Sequence, residues 1–226
     1  MGESVITARE GFRFWAADYD AAPNPLLALE MRILSERLDP ARGMRFLDAG
    51  SGTGRWMEWA QSQGAQVFGI DSCREMLVQA EHKPGLGGRS ALADINAIPL
   101  KDGAFDIAIC SFTMGYVASP ANAFRELARV SRHVIVSDLH PDAVRAGWTR
   151  SFRSGDRRFE LQHFNYSTAD LERCAHAAGL KPQWHLQATF GEPERRIFAR
   201  AGKEETFTKS RAVPAVSITS WRKSSD

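Results

Sequence analysis

From Met44 to Val136 the apolar positions alternate between short strand-like runs and longer stretches with a helical repeat, the pattern of a βαβ sheet covered on both faces. Residues 44–49 read as a first strand, and Trp56, Trp59 and Ala60 fall on one face of the helix that follows a glycine turn. Residues 66–71 form a second strand, residues 73–81 a helix closed by Pro84-Gly85, and residues 90–93 a short third strand. Residues 105–110 are apolar on both faces, as a central parallel strand requires. A helix over 121–130 after Pro120 and a strand over 133–138 complete the core. Beyond it the pattern predicts a helix over 168–178 ending at Gly179, and final strands over 183–190 and 213–221. An apolar-periodic helix is expected over about 25–38, and residues 148–166 read as a hairpin turning at Ser154-Gly155-Asp156 that covers the site.

The resulting expectation is one domain: an N-terminal helical lid over 1–40, a ligand-binding core over 44–138, a cap over 139–166, and a C-terminal helix and strands over 167–226. A length of 226 residues, 43% hydrophobic and 25% charged, fits a soluble globular chain with a packed core. Lys plus Arg number 29 against 27 Asp plus Glu, an excess too small for a protein whose main task is to neutralise a phosphate backbone, so no nucleic-acid partner is expected. Cys73, Cys110 and Cys174 are odd in number and far apart; neither a disulfide framework nor a metal site can be written, and a reducing cytoplasm fits best. No apolar run approaches the roughly 20 residues that span a bilayer, and the start Met1-Gly2-Glu3-Ser4 has no signal-peptide character.

The most informative stretch is Leu47-Asp48-Ala49-Gly50-Ser51-Gly52-Thr53-Gly54-Arg55, where the first strand hands over to a helix. Alternating glycines permit positive φ and bring bare backbone close to a ligand. The next strand closes on Asp71, a carboxylate near the offset at which such sites accept ribose hydroxyls, so a ribose-containing ligand is implied. The spacing Gly50-x-Gly52-x-Gly54 departs from the dinucleotide G-x-G-x-x-G, and Gly54-Arg55-Trp56 lacks the Gly-Lys-Ser/Thr ending of a P-loop.

On these residues the stretch 46–138 resembles the class I S-adenosylmethionine-dependent methyltransferases, particularly the small-molecule group similar to ubiquinone and menaquinone biosynthesis enzymes. The resemblance implies a Rossmann-like, doubly wound α/β fold: a seven-stranded, mostly parallel sheet with helices on both faces and an antiparallel last strand. It implies S-adenosyl-L-methionine as cofactor, with Asp48, Gly50, Ser51, Gly52, Thr53 and Gly54 around its methionine part, Asp71 and Ser72 at the ribose, and Asp94 and Ile95 at the adenine. It further implies Ser111 near the methionine amino group. Leu100 stands where the family usually has Phe, an apolar exchange. The aromatic stretch Phe12-Arg13-Phe14-Trp15-Ala16-Ala17-Asp18-Tyr19-Asp20 resembles the family's variable lid, in which Tyr19 closes over the cofactor and Trp15 faces the acceptor; the alternative is an amphipathic helix merely packed on the domain, and Arg13 is open in the same way between a cofactor carboxylate and that helix surface.

Ligands in open α/β sheets sit beyond the carboxyl ends of the strands, which places Thr113, Met114, Tyr116 and His140 toward the acceptor. His140 and Tyr116 are the candidate catalytic residues; His140 either takes a proton from a hydroxyl nucleophile or simply shapes a loop. Met114 and His163 are candidate substrate contacts. Arg150, Arg153, Arg157 and Arg158 are either solvated or attract an acidic acceptor, with solvation expected for most. The function these residues support is methyl transfer to O, N or C of a small apolar or aromatic metabolite by a monomer or homodimer. The alternatives are a non-catalytic domain that binds the cofactor as a sensor, and a nucleic-acid methyltransferase, against which Cys110-Ser111-Phe112-Thr113 stands in place of an Asn/Asp-Pro-Pro-aromatic run.

Overall fold

In the computed structural model the described residues are 3–40 and 42–224, so the start Met1-Gly2 lies outside them. The core is a seven-stranded sheet built from β2 (Arg45–Ala49), β3 (Gln66–Asp71), β4 (Ser90–Leu92), β5 (Phe105–Ser111), β6 (Ser131–Leu139), β9 (Leu180–Ala188) and β10 (Val216–Lys223), in the spatial order β4-β3-β2-β5-β6-β10-β9. All neighbours pair in parallel except β10, which runs antiparallel to both β6 and β9. From β2 the chain winds outward to β3 and β4, then returns to β5 on the other side of β2. The carboxyl ends of β2 and β5 therefore diverge into loops of opposite direction, the switch point at which open sheets of this kind form a crevice.

Successive side chains point to opposite faces of a strand, and both faces are covered. Phe46, Ile107, Ile109 and Ile135 pack with Leu29 and Leu34 of α2 (Pro25–Ser35) and Trp56, Met57 and Ala60 of α3 (Arg55–Ser62). Their neighbours Leu47, Ala108, Cys110, Val134 and Val136 enter the opposite core with Phe124 and Leu127 of α5 (Pro120–Val130) and Ala175 of α7 (Thr168–Ala177). The third strand has a helix before it, α4 (Arg74–Glu81).

Three features depart from the sequence expectation. Strand β9 begins at Leu180, before Pro182, rather than at 183; it is the outer strand of the sheet, where a residue without an N–H costs no ladder bond to a further neighbour. The segment between β9 and β10 folds into α8 (Glu192–Arg200) and α9 (Glu204–Ser210). Their polar sequence conceals a tertiary anchor: Glu194 is buried, receives Nε and Nη2 of Arg32 at 3.0 and 2.9 Å, and takes the Gly191 amide, while Phe198 and Phe207 join the core.

The third departure is a second, three-stranded sheet. The expected hairpin is present as β7 (Ser151–Ser154) and β8 (Arg157–Leu161), and β1 (Glu3–Ile6) pairs in parallel with β8. The N-terminal segment is thus not wholly helical. After β1 it continues into α1 (Ala8–Trp15), opened by a Thr7/Glu10 capping box, and a short 3-10 turn (Ala16–Asp18). No helix among the described residues is long and apolar enough to cross a membrane.

Candidate active site

A cavity of about 400 Å³ lies at the switch point, floored by the carboxyl ends of β2, β3 and β5 and roofed by α1 and the 3-10 turn after it. Its first wall is the glycine turn. Gly50, Gly52 and Gly54 take φ of +80°, +53° and +80°, and the amides of Gly50 and Ser51 donate to the carbonyl of Ile70 at 2.8 and 2.9 Å, which folds the turn back against β3. A Cβ on Gly50 would stand 2.2 Å from Thr113 Oγ1, so glycine here is required by close approach as well as by φ.

Asp71 ends β3 inside this wall. Its Oδ2 accepts the Gly52 amide and its Oδ1 the Cys73 amide, each at 2.8 Å. Burial pushes the Asp71 carboxyl up, and the amides of Cys73, Gly52 and Ser72 pull it back. Each carboxylate oxygen has a second acceptor position, so a pair of ligand hydroxyls can still be received. Farther along, Asp94, Ile95 and Asn96 line the cavity, with Asp94 Oδ1 accepting the amide and side-chain amide of Asn96.

Part of the cavity lining is charged. Asp48 is buried, and burial raises its carboxyl to about 7, with Arg55 acting against that rise and Glu30 and Asp71 adding to it. Glu30 of α2 is fully buried and accepts hydrogen bonds from Arg55, from Trp56 Nε1 at 3.2 Å, from Ser111 Oγ at 2.7 Å and from Ser137 Oγ. Beside it Phe112 holds φ of +49°, alone among the described non-glycine residues in having positive φ. Such strain concentrates at functional sites.

The roof is aromatic. Phe12, Tyr19 and Tyr116 line the cavity; Phe12 meets Tyr116 edge-on at 5.0 Å and Trp15 meets Tyr19 at 4.7 Å, while Trp15 also stacks on Phe152 of the cap at 4.8 Å. Tyr116 sits under the guanidinium of Arg150, 5.0 Å from its ring centre, and Arg150 is itself ion-paired with Asp138. Burial raises the Tyr116 phenol, and Arg150 opposes the rise. Asp20 ties the roof to the floor through Thr53 Oγ1 at 3.1 Å and Lys83 at 3.1 Å.

Of the residues singled out in the sequence, Tyr19, Asp48, Gly50, Ser51, Gly52, Thr53, Asp71, Ser72, Asp94, Ile95, Ser111 and Tyr116 all line this one cavity. Gly54 does not; it is the N-cap of α3, where a Cβ would press on Leu86 and Ala80. Met114 is fully buried in the core on the far side of the sheet, because it begins a 3-10 turn that faces it inward. Trp15 is one layer out, stacked into the cap, and His163 turns its Nδ1 to the Leu161 carbonyl. His140 caps α6 (Pro141–Arg145), its Nδ1 accepting the Asp142 amide at 3.0 Å, and lies outside the cavity lining. Arg13 reaches Glu75 rather than the cavity, at 3.3 Å on the surface, and Arg150 is buried rather than solvated.

Sequence reasoning missed Phe12, Leu27, Glu30, Arg55 and Asn96. Glu30 had a detectable signal: it occupies the same helical stripe as Leu27 and Leu34, where a carboxylate needs partners.

Residues 47–134 match the family model described as a methyltransferase domain. Over this stretch the chain is similar to methyltransferase domains. A ubiquinone/menaquinone biosynthesis C-methyltransferase UbiE from Bdellovibrio bacteriovorus is 33% identical over 133 residues, covering 55% of this chain and 57% of that protein. A malonyl-[acyl-carrier protein] O-methyltransferase from Geobacter sulfurreducens is 33% identical over 130 residues, covering 54% of this chain and 48% of that protein. The chain thus spans about half the length of these curated relatives. An S-adenosylmethionine-dependent methyltransferase from Mesorhizobium loti superposes with a TM-score of 0.68 at 22% identity, over 88% of this chain and 100% of that one, a likeness of fold.

Proposed function

We propose that this chain transfers a methyl group from S-adenosyl-L-methionine to O, N or C of a small, apolar or aromatic acceptor. The observation that carries the reading is a set of buried polar atoms lacking partners inside one cavity: Ser51 Oγ, Arg55 Nη1 and Asn96 Oδ1 all belong to residues that line it. Buried polar groups are ordinarily satisfied, so a cavity holding several that are not is shaped for a polar ligand. The donor set also fits the chemistry of this one. It offers acids and bare amides, which suit a nucleoside with a zwitterionic tail, and no phosphate-cradling lysine.

In this reading Asp71 receives the ribose hydroxyls, Asp94 and Ile95 flank the base, and the Gly50–Gly52 backbone runs along the tail. When bound, the cofactor supplies an electrophilic methyl group on a sulfonium. The chain's own contribution is to orient and to exclude water. Phe12, Tyr19 and Tyr116 close the roof with apolar rings. The raised Tyr116 phenol stays protonated at neutral pH and orients an acceptor by hydrogen bonding, while Arg150 and Asp138 hold the ring in place. An apolar roof selects an apolar or aromatic acceptor on the same grounds.

Two measurements test this. Calorimetric titration with S-adenosylhomocysteine is expected to give one site per chain, and Asp71→Asn is expected to weaken it at least tenfold with an unchanged circular dichroism spectrum. Methyl-labelled S-adenosylmethionine is expected to deliver label to a small molecule in a metabolite extract. Absence of binding heat overturns the cofactor assignment; binding without labelled product in any extract favours the sensor alternative.

A further inference from the structure

A second cavity, of about 230 Å³, lies between α1 and α4 and shares Arg9, Ser72 and Cys73 with the lining of the main one. Arg13, Arg74, Glu75 and Leu92 complete its wall. We infer that this second cavity is a binding site for the phosphate group of a phosphate ester, a ligand separate from the nucleoside of the main cavity. The inference goes beyond the cofactor reading and does not depend on it.

The chain folds so as to bring the charges together. Arg9 and Arg13 are four residues apart on α1 and share one face of that helix, while Arg74 opens α4. Three guanidiniums thus border one cavity against a single carboxylate, that of Glu75. Arg13 Nε lies 3.3 Å from Glu75 Oε1, but the two side chains are 70% and 44% exposed, and an ion pair so open to water does little to hold α1 in place. The Glu75 carboxyl is held below the usual carboxylate range by its own backbone amide first, then by Cys73, Arg13 and Arg74, so both arginines act on the same group.

The charge balance selects the ligand. Glu75 offsets one of the three guanidiniums and leaves two positive charges. A phosphate monoester carries about two negative charges near neutral pH and offers three acceptor oxygens, whereas a carboxylate brings one charge and two oxygens. The guanidinium fork also matches phosphate geometry in a way that an ammonium does not. Leu92, 49% exposed, gives the cavity an apolar edge for the carbon skeleton of an ester. The main cavity has the opposite balance, Asp48, Asp71 and Asp94 against Arg9 and Arg55, so the same dianion is disfavoured there. Nor does the phosphate belong to the ribose of a nucleoside held by Asp71. That carboxylate takes the Cys73 amide at 2.8 Å on the wall common to both cavities, and a ribose phosphate would be driven against it.

Glycerol 3-phosphate is the first probe, titrated into the isotopically labelled full chain with ionic strength held constant by sodium chloride and followed through amide chemical shifts. Saturable shifts are expected in residues 9–13 and 72–75. Arg74→Gln is expected to weaken binding at least fivefold, and Glu75→Gln, which removes the competing carboxylate, to tighten it at least twofold. Opposite signs separate ligand contact from a loss of packing between α1 and α4, which would weaken binding in both variants. Shifts that do not saturate, or an affinity unchanged in Arg74→Gln, overturn the site. Vesicles containing phosphatidic acid are the second probe. Vesicle binding that is lost in Arg74→Gln, with no saturable response to glycerol 3-phosphate, overturns the small ligand in favour of a lipid headgroup. Calorimetry with S-adenosylhomocysteine on the same sample tests the cofactor reading separately: a chain that takes the phosphate ester and no nucleoside would sink that reading and leave this site standing.

Discussion

Asp48 sits at the end of β2 against the cavity with its carboxyl raised to about 7, chiefly by burial. In the unfolded chain the same group ionises near 4, so between about 4 and about 7 the folded state holds a proton that the unfolded state has released. Its contribution to stability is complete below that window and is lost as pH rises through about 7. A ligand ammonium has the opposite preference, since it is attracted to the ionised form. Affinity for S-adenosylhomocysteine is therefore expected to rise between pH 6 and pH 8, with release of up to one proton, and Asp48→Asn is expected to flatten that rise. Calorimetry in buffers of different ionisation enthalpy measures the proton directly; an unchanged slope in Asp48→Asn refutes the assignment. The comparison with the variant isolates Asp48 from any other group that titrates between pH 6 and pH 8; His133, which burial lowers to about 4, does not titrate in that window.

At the scale of elements, the site depends on how closely β2, its turn and β5 approach one another. Gly50 is the tightest point, with φ of +80° and no room for a Cβ beside Thr113. A left-handed conformation costs an L-residue roughly 1–2 kcal/mol, and the overlap adds to it. Gly50→Ala is expected to lower stability by about 2 kcal/mol or more in denaturant unfolding, and to abolish nucleoside binding even where the chain remains folded. By contrast Gly52→Ala, whose Cβ would meet open space, is expected to cost only the conformational strain. Equal destabilisation by the two would mean that Thr113 yields freely, and that the approach of turn to β5 is not tight.

Across the whole molecule, two sheets share responsibility for the cavity: the large one supplies its floor, and the small β1-β8-β7 sheet backs its roof. They are joined by a buried ion pair, Arg150 on Asp138 of β6, with the Gly115 amide donating to the same carboxylate at 2.7 Å and the Phe164 amide to the Gly115 carbonyl at 2.7 Å. Removing one partner of a buried pair leaves an uncompensated charge. Arg150→Met is thus expected to loosen the cap, visible as faster amide exchange in residues 151–161 while β2, β5 and β6 stay protected. Unchanged exchange there would show that the aromatic stacking of Trp15 on Phe152 is sufficient to dock the roof.

Local information determined most of the large sheet. Short apolar runs along residues 46–49, 105–110 and 134–136, glycines where the backbone must turn sharply, and Asp71 closing a strand are all properties of neighbouring residues, so pattern and turn chemistry expose them. The same local signal located the β7–β8 hairpin, through Ser154-Gly155-Asp156. Contacts between segments distant in the chain left little trace in the sequence. β1 pairs with a strand more than 150 residues away, α8 is anchored by an ion pair from its buried Glu194 to Arg32, and Glu30 reaches Ser111 and Ser137 on two strands. Whether His140 faced a ligand or capped a helix was likewise decided by the backbone turn at Pro141, and Met114 by the direction of its 3-10 turn. Periodicity gives the face a residue occupies within its own element; only the packing of elements determines which charge lies opposite.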